Sequence, residues 1–439
     1  MTDVQYGVYA DPDETPPIGQ AIPLGLQHVL AMFASNVTPS IIVAGAAGLA
    51  FGGAEQIYLI QMAMLFAGIA TLFQTVGLGP VGARLPIMQG TSFAFVGVLA
   101  GVAATQGLGV ALTACIIGGV VHFILGGFIR HLRWLFPPLV TGLVILAIGL
   151  YLIPVAIKYA AGGAATFQME AESFGSLMHW SVALSVIIVA LVLKFFTTGL
   201  LSNAAILVGL IVGYVLAFAL GMVNFGAVQN ASWLMVPQPL PYGFEFSLGA
   251  VFAVTLVSIV SAIETVGDAS ATAKAGAGRE ATDKEIAGAT YADGLGTAVA
   301  GVFGGLPNTS FSQNVGIVGM TGVMSRHVVT IGALFLVLCG LVPKIGAVIA
   351  AMPLPVLGGG VIVMFGMVAA AGLNVLSEVT LNRRNMVIIA VSLAFGLGLN
   401  LVPTAVQYVP NPWGILMTSA VAPTAIVAIV LNLVLPEEI

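Results

Sequence analysis

The chain has 439 residues, of which 59% are hydrophobic and 7% charged, and its formal net charge is −5. A soluble domain carries about 25% charged residues, so this composition excludes the soluble classes and indicates an integral membrane protein. The two cysteines, Cys115 and Cys339, lie in apolar runs and predict neither a disulfide framework nor a metal site. The net charge comes largely from the N-terminal tail and the termini and carries no indication of nucleic-acid binding.

Apolar segments of helix-spanning length follow a polar, acidic tail over residues 1–20, which lacks the basic start of a signal peptide. Fourteen segments are predicted, near residues 22–40, 54–77, 86–104, 108–129, 136–157, 179–197, 203–223, 247–273, 285–304, 308–325, 327–343, 345–372, 385–402 and 412–434. With the N-terminus inside the cell, ten of the twelve Lys and Arg residues fall in cytoplasmic loops. We therefore predict a multi-pass protein of the cell membrane with both termini in the cytoplasm.

Two histidines lie well inside predicted spans, His28 in LQHVLAM of the first span and His122 in the fourth. A lone His among apolar residues bonds a neighbouring helix more often than it carries a proton. His28 is kept as a candidate for proton coupling, whereas His122 has weaker context.

The triplet Thr-Ser-Phe occurs twice, in QGTSFAFVGV of the third span and in PNTSFSQNVG of the tenth. We predict extended chain through both copies and a half-helix after each of them. A helix from Asn314 to Arg326 rises about 18 Å, so it would begin near the bilayer centre, and the third span is the mirror case. Helix N-termini attract hydrogen-bond acceptors, and non-helical backbone at that depth is tolerated only where it lines a cavity or is buried in protein.

The eighth span carries two carboxylates in SAIETVGDASATAK. Glu264 lies ten residues before Lys274, which marks the cytoplasmic end of the span. It is therefore about 15 Å deep in a hydrocarbon core about 30 Å thick, and Asp268 follows one turn later on the same face. The two charges repel each other, so we expect at least one group to hold a proton near neutral pH. A functional site is the default interpretation, and a buried helix face satisfied by Ser, Thr or backbone groups is the alternative.

The ninth span carries a carboxylate well inside it, Asp293, in YADGLGTAVAG. It lies about 12 Å into the span. It could relay a proton or hold neighbouring helices together by hydrogen bonds, and the sequence leaves both roles open.

The chain contains a repeat. The Thr-Ser-Phe copies are 218 residues apart, and PPLVTG, ending at Gly142, is 217 residues from PLPVLGG, ending at Gly359. Fourteen spans divide into seven plus seven, and because seven is odd the second half must cross the membrane in the opposite direction. We predict an all-α polytopic membrane protein with a 7+7 inverted repeat over residues 21–223 and 247–435, joined by an extracellular linker over 224–246. Inverted repeats with interrupted helices in matching positions are typical of secondary transporters.

The residues near the predicted helix breaks indicate the kind of substrate. A carboxylate only accepts hydrogen bonds, a carboxamide donates and accepts, and aromatic faces stack on flat rings. The set fits an oxidised purine or pyrimidine, and its members are Glu264, Gln313, backbone groups around Phe93 and Ser312, and the rings of Phe93, Phe311 and Phe365. No phosphate-binding, zinc or Ser-His-Asp pattern is present in the sequence, which predicts neither an enzyme nor a cofactor.

The stretch SFSQNVGIVGMTGV resembles the signature motif of the nucleobase–ascorbate transporter family, and LQHVLAMF, QGTSFAF, ETVGD and PLPVLGG are similar to its other hallmark segments. The resemblance implies a core of spans 1–4 and 8–11, and a gate of spans 5–7 and 12–14 that often forms a homodimer. It also implies short antiparallel β-strands that interrupt spans 3 and 10. The core would move against the gate as a rigid body and carry the base and a proton inward.

By the same resemblance, Glu264 would accept N–H bonds from the base and Gln313 would bind its opposite edge. Phe93 would stack on the ring, backbone at Ser312 and Phe93 would add contacts, and Asn314 would support the motif. The remaining candidate substrate contacts are Phe311, Ser35 and Phe365. The candidate proton-coupling residues are Glu264, Asp268, Asp293 and His28.

Uracil-type members of the family carry Glu at the position of Gln313 and His at the position of Asp268. The departure of this chain at both residues favours xanthine or uric acid, imported with a proton. A pyrimidine-base proton symporter such as a uracil carrier is the first alternative. An anion transporter of the related seven-plus-seven fold is the second, although it would be expected to lack a substrate-facing carboxylate such as Glu264.

Overall fold

The computed structural model describes residues 9–135, 137–163, 172–410 and 413–436, and it is mostly helical. Its elements are α1 Ile18–Ala46, α2 Ala54–Thr75, β1 Gln89–Thr91, α3 Val96–Gln106, α4 Leu108–Gly126, α5 Ile129–Leu132, α6 Pro138–Ala160, α7 Leu177–Phe196, α8 Gly199–Asn203, α9 Ala205–Ala219, α10 Gly226–Asn230, α11 Leu248–Ala277, α12 Asp283–Val302, β2 Asn308–Ser310, α13 Ser312–Thr321, α14 Arg326–Leu341, α15 Pro343–Ala350, α16 Leu354–Ser377, α17 Arg383–Leu401, α18 Trp413–Thr418 and α19 Val421–Val434. Short 3₁₀ turns lie at Phe93–Phe95, Arg133–Leu135 and Pro403–Val406.

Eight of the described helices are long and apolar enough to cross a membrane. A ninth span results if α14 and α15, which are bent by 80° at their junction, count as one. The chain is therefore a multi-pass membrane protein, while the number of fourteen spans stays a prediction.

The predicted segments 345–372 and 412–434 are each divided into two helices, so the prediction of one continuous segment is wrong in both places. The segment 345–372 is divided into α15 and α16 at Pro353, whose ring cannot continue a helix and which caps α16 instead. The segment 412–434 is divided into α18 and α19 at Ala420, whose φ of 60° is left-handed. A left-handed residue cannot continue a right-handed helix.

The chain divides into two compact units. The first comprises Met1–Arg133 and Asn230–Ala350, and the second comprises Trp134–Gln229 and Ala351–Ile439. Each unit thus combines residues from both halves of the sequence.

In the first unit, α4 and α12 approach each other through glycines. A Cβ at Gly119 would meet the backbone of Ala298, and a Cβ at Gly294 would meet the backbone of Phe123. Small residues let helix backbones in a membrane approach closely and gain van der Waals contact. The high glycine content thus serves close helix packing here.

In the second unit, the glycines of the PLPVLGG stretch serve the same purpose. A Cβ at Gly358 would meet the backbone of Ala160, and a Cβ at Gly359 would meet the carbonyl oxygen of Ala183. Gly142, in the matching PPLVTG stretch, lies against the side chain of Leu376. Both stretches therefore open helices that need close neighbours along one face.

Candidate functional site

The two short strands of the first unit pair with each other. The antiparallel Cα partners are Gln89 and Ser310, Gly90 and Thr309, and Thr91 and Asn308, all of them buried. The backbone N–H of Ser92 also donates to Pro307 O at 2.8 Å, and that of Phe311 donates to Met88 O at 3.0 Å. The two extended segments thus satisfy each other's backbone N–H and C=O groups. Each segment then continues into a helix, β1 into α3 and β2 into α13.

Aromatic rings lie at the crossing point. A Cβ at Gly90 would be 2.5 Å from Cε2 of Phe311 and 2.6 Å from Cε of Met32, so only glycine lets that ring pack on β1. Phe311 is 5% exposed and Phe93 is 9% exposed. Both predicted ring residues are therefore in the first unit beside the strand pair.

One threonine from a neighbouring helix holds each strand. Thr71 Oγ1 of α2 accepts from Gln89 N at 2.9 Å and donates to Gln89 O at 3.4 Å. Thr297 Oγ1 of α12 accepts from Asn308 N at 3.0 Å and donates to Asn308 O at 3.2 Å. The same local arrangement thus occurs twice, once in each half of the chain.

Asn36 of α1 fixes the end of β1. Its Oδ1 accepts from the backbone N of Thr91 at 2.8 Å and from the Thr91 hydroxyl at 3.2 Å. Its Nδ2 donates to Ala63 O of α2 at 3.1 Å. The first helix is thereby joined to the second helix and to the strand.

Asp293 accepts hydrogen bonds from three different elements. Gln74 Nε2 of α2 donates to its Oδ1 at 3.0 Å, Gln89 Nε2 of β1 donates to the same oxygen, and the Thr265 hydroxyl of α11 donates to Oδ2. The residue is fully buried. This arrangement favours the role of a latch between helices, and a relay role for Asp293 stays a prediction.

Asp268 holds the start of the half-helix α13. Its Oδ2 accepts from the Ser310 hydroxyl at 2.6 Å, and its Oδ1 accepts from the Ser312 hydroxyl at 2.8 Å. Both carboxylate oxygens therefore bind residues on either side of Phe311. This arrangement positions the N-terminus of α13, and the proton-coupling role of Asp268 stays a prediction.

The face of α11 that carries Glu264 bonds the strand pair. Ser261 Oγ donates to Thr309 Oγ1 at 3.2 Å, and Thr265 and Asp268 bond as described above. Ser261, Glu264, Thr265 and Asp268 recur at the spacing of one helical face. Glu264 differs from them because its half-buried carboxylate makes no hydrogen bond or ion pair with any described residue.

Gln313 is the corresponding residue on α13. Its side chain is half-buried and makes no hydrogen bond with the described part of the chain. The next residue, Asn314, is anchored instead, because its Nδ2 lies 3.0 Å from both Nδ1 and the carbonyl oxygen of His28. His28 is buried and thus bonds a neighbouring helix, while its predicted proton-coupling role is untested.

The structure gives less support for a role of three other residues considered in the sequence. Ser35 is buried on α1 within the first unit, and His122 is buried on α4, where its Nε2 has no hydrogen-bond partner among the described residues. Phe365 lies on α16 and belongs to the second unit. Its predicted contact with substrate stays a prediction.

Most anchoring residues of the site could not be singled out from sequence. Two of them, Gln89 and Ser310, lie in the Thr-Ser-Phe stretches, and the others are Asn36, Thr71, Gln74, Thr265 and Thr297. Each is an ordinary polar residue in an apolar helix or strand, and its partner is distant in sequence. The only available signal was the rarity of Gln and Asn within predicted spans. Among the described residues, no group of His, Cys, Asp and Glu side chains is placed to hold a metal ion.

Comparison with known proteins matches this chain to permeases. A family model described as "Permease family" matches residues 19–405, a stretch that contains every candidate site residue. The chain is 38% identical over 415 residues to the uric acid permease PucK of Bacillus subtilis, covering 94% of this chain and 95% of that protein. It is 35% identical over 440 residues to the xanthine permease XanQ of Escherichia coli, covering 97% of this chain and 93% of that protein.

A solved structure shares the fold. The transmembrane domain of a cyanobacterial bicarbonate transporter, BicA, superimposes with a TM-score of 0.58 at 15% identity and covers 95% of this chain and 98% of its own. At this low identity the likeness concerns the arrangement of the backbone alone.

The Asp293 latch predicts a difference between two substitutions. Asp293→Ala removes the only described acceptor of Gln89 Nε2, while Gln74 keeps Ala289 O and Thr265 keeps Ser261 O. The loss should destabilise the protein by roughly 1 to 3 kcal/mol. Asp293→Asn keeps one carbonyl oxygen for both glutamines, and the Thr265 hydroxyl can rotate to accept, so the cost should be about 1 kcal/mol or less. The melting temperatures of the two variants and of the parent protein in detergent measure these costs. An Ala variant with the same melting temperature as the parent protein would contradict the role of Asp293 as a latch.

Proposed function

The chain belongs to this permease family, the nucleobase–ascorbate transporter family that its motifs resemble, and we propose that it imports an oxidised purine base, xanthine or uric acid, together with a proton. The family and the relatives named above are permeases and not enzymes. The proposal names the substrate that this chain carries and the mechanism by which the substrate crosses the membrane.

One observation carries the proposal. Polar side chains around the strand pair bond one another, whereas those of Glu264 and Gln313 make no hydrogen bond with any described residue. Three other side-chain oxygens beside the strand pair lack a partner among the described residues, but each belongs to a residue that is held through another atom: Gln89 Oε1, Asn308 Oδ1 and Asn314 Oδ1. A half-buried carboxylate without a partner costs free energy, so a ligand that donates to it gains the corresponding stabilisation. A purine with an N–H edge for Glu264 and an N–H and C=O edge for Gln313 fits both groups.

The choice of an oxidised purine rests on two further points. The relatives are named for uric acid and for xanthine, and they cover more than nine-tenths of this chain. Gln313 also departs from the Glu of uracil-type members. The rings of Phe93 and Phe311 beside the crossing strands suit a flat base.

For the mechanism, we propose that the first compact unit is the core that carries the base and that the second unit is the gate. The division of the chain supports this, since each unit combines residues from both halves of the sequence. The matching threonines, Thr71 of α2 and Thr297 of α12, each bond one strand and support a 7+7 inverted repeat of fourteen spans. Alternating access would move the core as a rigid body.

Proton coupling is assigned to the carboxylates of α11 and α12. Glu264 faces the proposed substrate, and Asp268 and Asp293 bond the strands and helices beside it. A proton on Glu264 would neutralise its charge while the core moves, which lowers the cost of carrying that group across the membrane. The homodimer and the cytoplasmic termini are part of the same proposal.

Glu264→Gln tests the substrate and proton role. The amide no longer offers two acceptor oxygens and cannot carry a proton, so uptake of labelled xanthine and urate should fall by more than about 30-fold. Uptake is measured in cells that lack their own purine permeases, with the amount of variant in the membrane determined in parallel. Glu280→Gln is the matched control, because Glu280 is exposed and its carboxylate has no partner among the described residues. Normal pH-driven uptake by the Glu264 variant would overturn the assignment.

Gln313→Glu tests whether Gln313 determines which base is bound. The substitution removes one donor and adds a charge, so the preference for xanthine and urate over uracil should fall by about tenfold or more. Competition of labelled xanthine uptake by urate, uracil, hypoxanthine and guanine measures the preference. Unchanged uptake of both xanthine and urate would contradict the role of Gln313.

A further inference from the structure

The acidic N-terminal segment packs against the chain that directly follows the half-helix carrying Gln313. Residues 9–14, here called the strap, contact residues 323–325, which link α13 to α14, and Arg326, the first residue of α14. The contacts are a parallel bridge between Tyr9 and Val323, Met324 N to Tyr9 O at 2.7 Å, Arg326 N to Pro12 O at 3.0 Å, and Ser325 Oγ to Glu14 O at 2.6 Å. The strap thus follows the linker over its whole length.

Arg326 adds a charged contact to this arrangement. Its Nε donates to Asp13 Oδ1 at 2.6 Å, and its Nη1 donates to Thr75 O at the end of α2 at 2.7 Å. The Asp13 side chain is 73% exposed and that of Arg326 is 21% exposed. One arginine therefore joins the strap, the linker and a helix that holds β1 through Thr71.

The half-helix α13 is short and packs along one side only. It spans ten residues, Ser312–Thr321, of which Ile317 and Val318 are buried. Its other side is open, because a Cβ at Gly316 would find no atom within 4 Å and Met320 is 65% exposed. A short helix that packs on one side depends on its two ends, as well as on that side, for its position.

The two ends of α13 are held in different ways. At the N-terminus, Ser312 bonds Asp268 and Asn314 bonds His28. At the C-terminus, Gly322 with a φ of 65° ends the helix, and the linker held by the strap begins at the next residue. The strap is therefore the second anchor of the helix that presents Gln313.

We propose that the strap is a positioning element for substrate binding: residues 9–14 fix the cytoplasmic end of α13 and thereby the orientation of Gln313. This inference rests on the proposed function, and it adds that substrate binding depends on residues 9–14, which lie outside the family motifs. The strap and α13 belong to the same compact unit, so the strap stays docked while that unit moves. Loosening the strap raises the KM for the base and leaves the maximal rate unchanged.

Asp13→Asn removes the charge that pairs with Arg326, and Ser325→Ala removes the hydrogen bond to Glu14 O. The KM for xanthine should rise about two- to fivefold in each variant, in line with the loss of one partly exposed ion pair or one hydrogen bond, with unchanged maximal rate and unchanged amount in the membrane. Glu280→Gln, an exposed acid outside the strap, should leave the KM at the parent value. Unchanged KM in both strap variants would overturn the proposal.

A disulfide tests whether docking itself is the cause. Tyr9→Cys with Val323→Cys joins two bridge partners. In the Asp13→Asn background, oxidation should return the KM to the parent value, and reduction should raise it again. A KM that stays raised after the disulfide has formed would overturn the proposal, as would an oxidised strap that stops uptake.

A labelling experiment separates the strap from the proposed function. Gln313→Cys is alkylated with a maleimide in the parent and in the Asp13→Asn background, and the rate should be about two- to fivefold higher when the strap is loosened. Labelling does not require transport, so it reports on the orientation of α13 even if the parent protein takes up no purine. Equal rates would refute the positioning role, whereas absent uptake by the parent would refute the proposed function alone.

Discussion

Backbone groups that leave a helix inside a membrane-spanning unit must find partners within the protein, because lipid offers none. Here the two interrupted stretches satisfy each other by pairing Gln89–Thr91 with Asn308–Ser310. Thr71 and Thr297 bond the outer ends of the pair, one on each strand. The strands, the half-helices that follow them and the site around them all depend on this pairing.

The side chains near the pair divide into two groups. Asp293 and Asp268 accept hydrogen bonds from several elements and hold the strands and α13 in place. Glu264 and Gln313 lie on the same elements, and their polar heads remain available. A binding group is most precise when its own element is fixed by packing and by supporting hydrogen bonds. The anchored residues thus determine where Glu264 and Gln313, the proposed contacts to the base, lie.

The sequence allowed the interrupted stretches to be predicted, because the repeated Thr-Ser-Phe, with Gly and Pro nearby, indicated extended chain. The depth of Glu264 within its predicted span led to the proposed site, and the role of that residue stays a prediction. The partners of Asp293 could not be predicted, since Gln74 and Gln89 lie about 200 positions away in the chain. The breaks at Pro353 and Ala420 also escaped prediction, because apolar composition continues through both and hides the change of helix.

Proton-driven accumulation of an oxidised purine is the central claim. The purified protein is reconstituted into liposomes that are acidic outside, and labelled xanthine is measured inside and outside over time. We expect xanthine to accumulate above its external concentration, and a protonophore to abolish the accumulation without preventing slow equilibration. Entry that stops at equal concentrations under the pH gradient, or accumulation that follows a sodium gradient alone, would contradict the proposed mechanism.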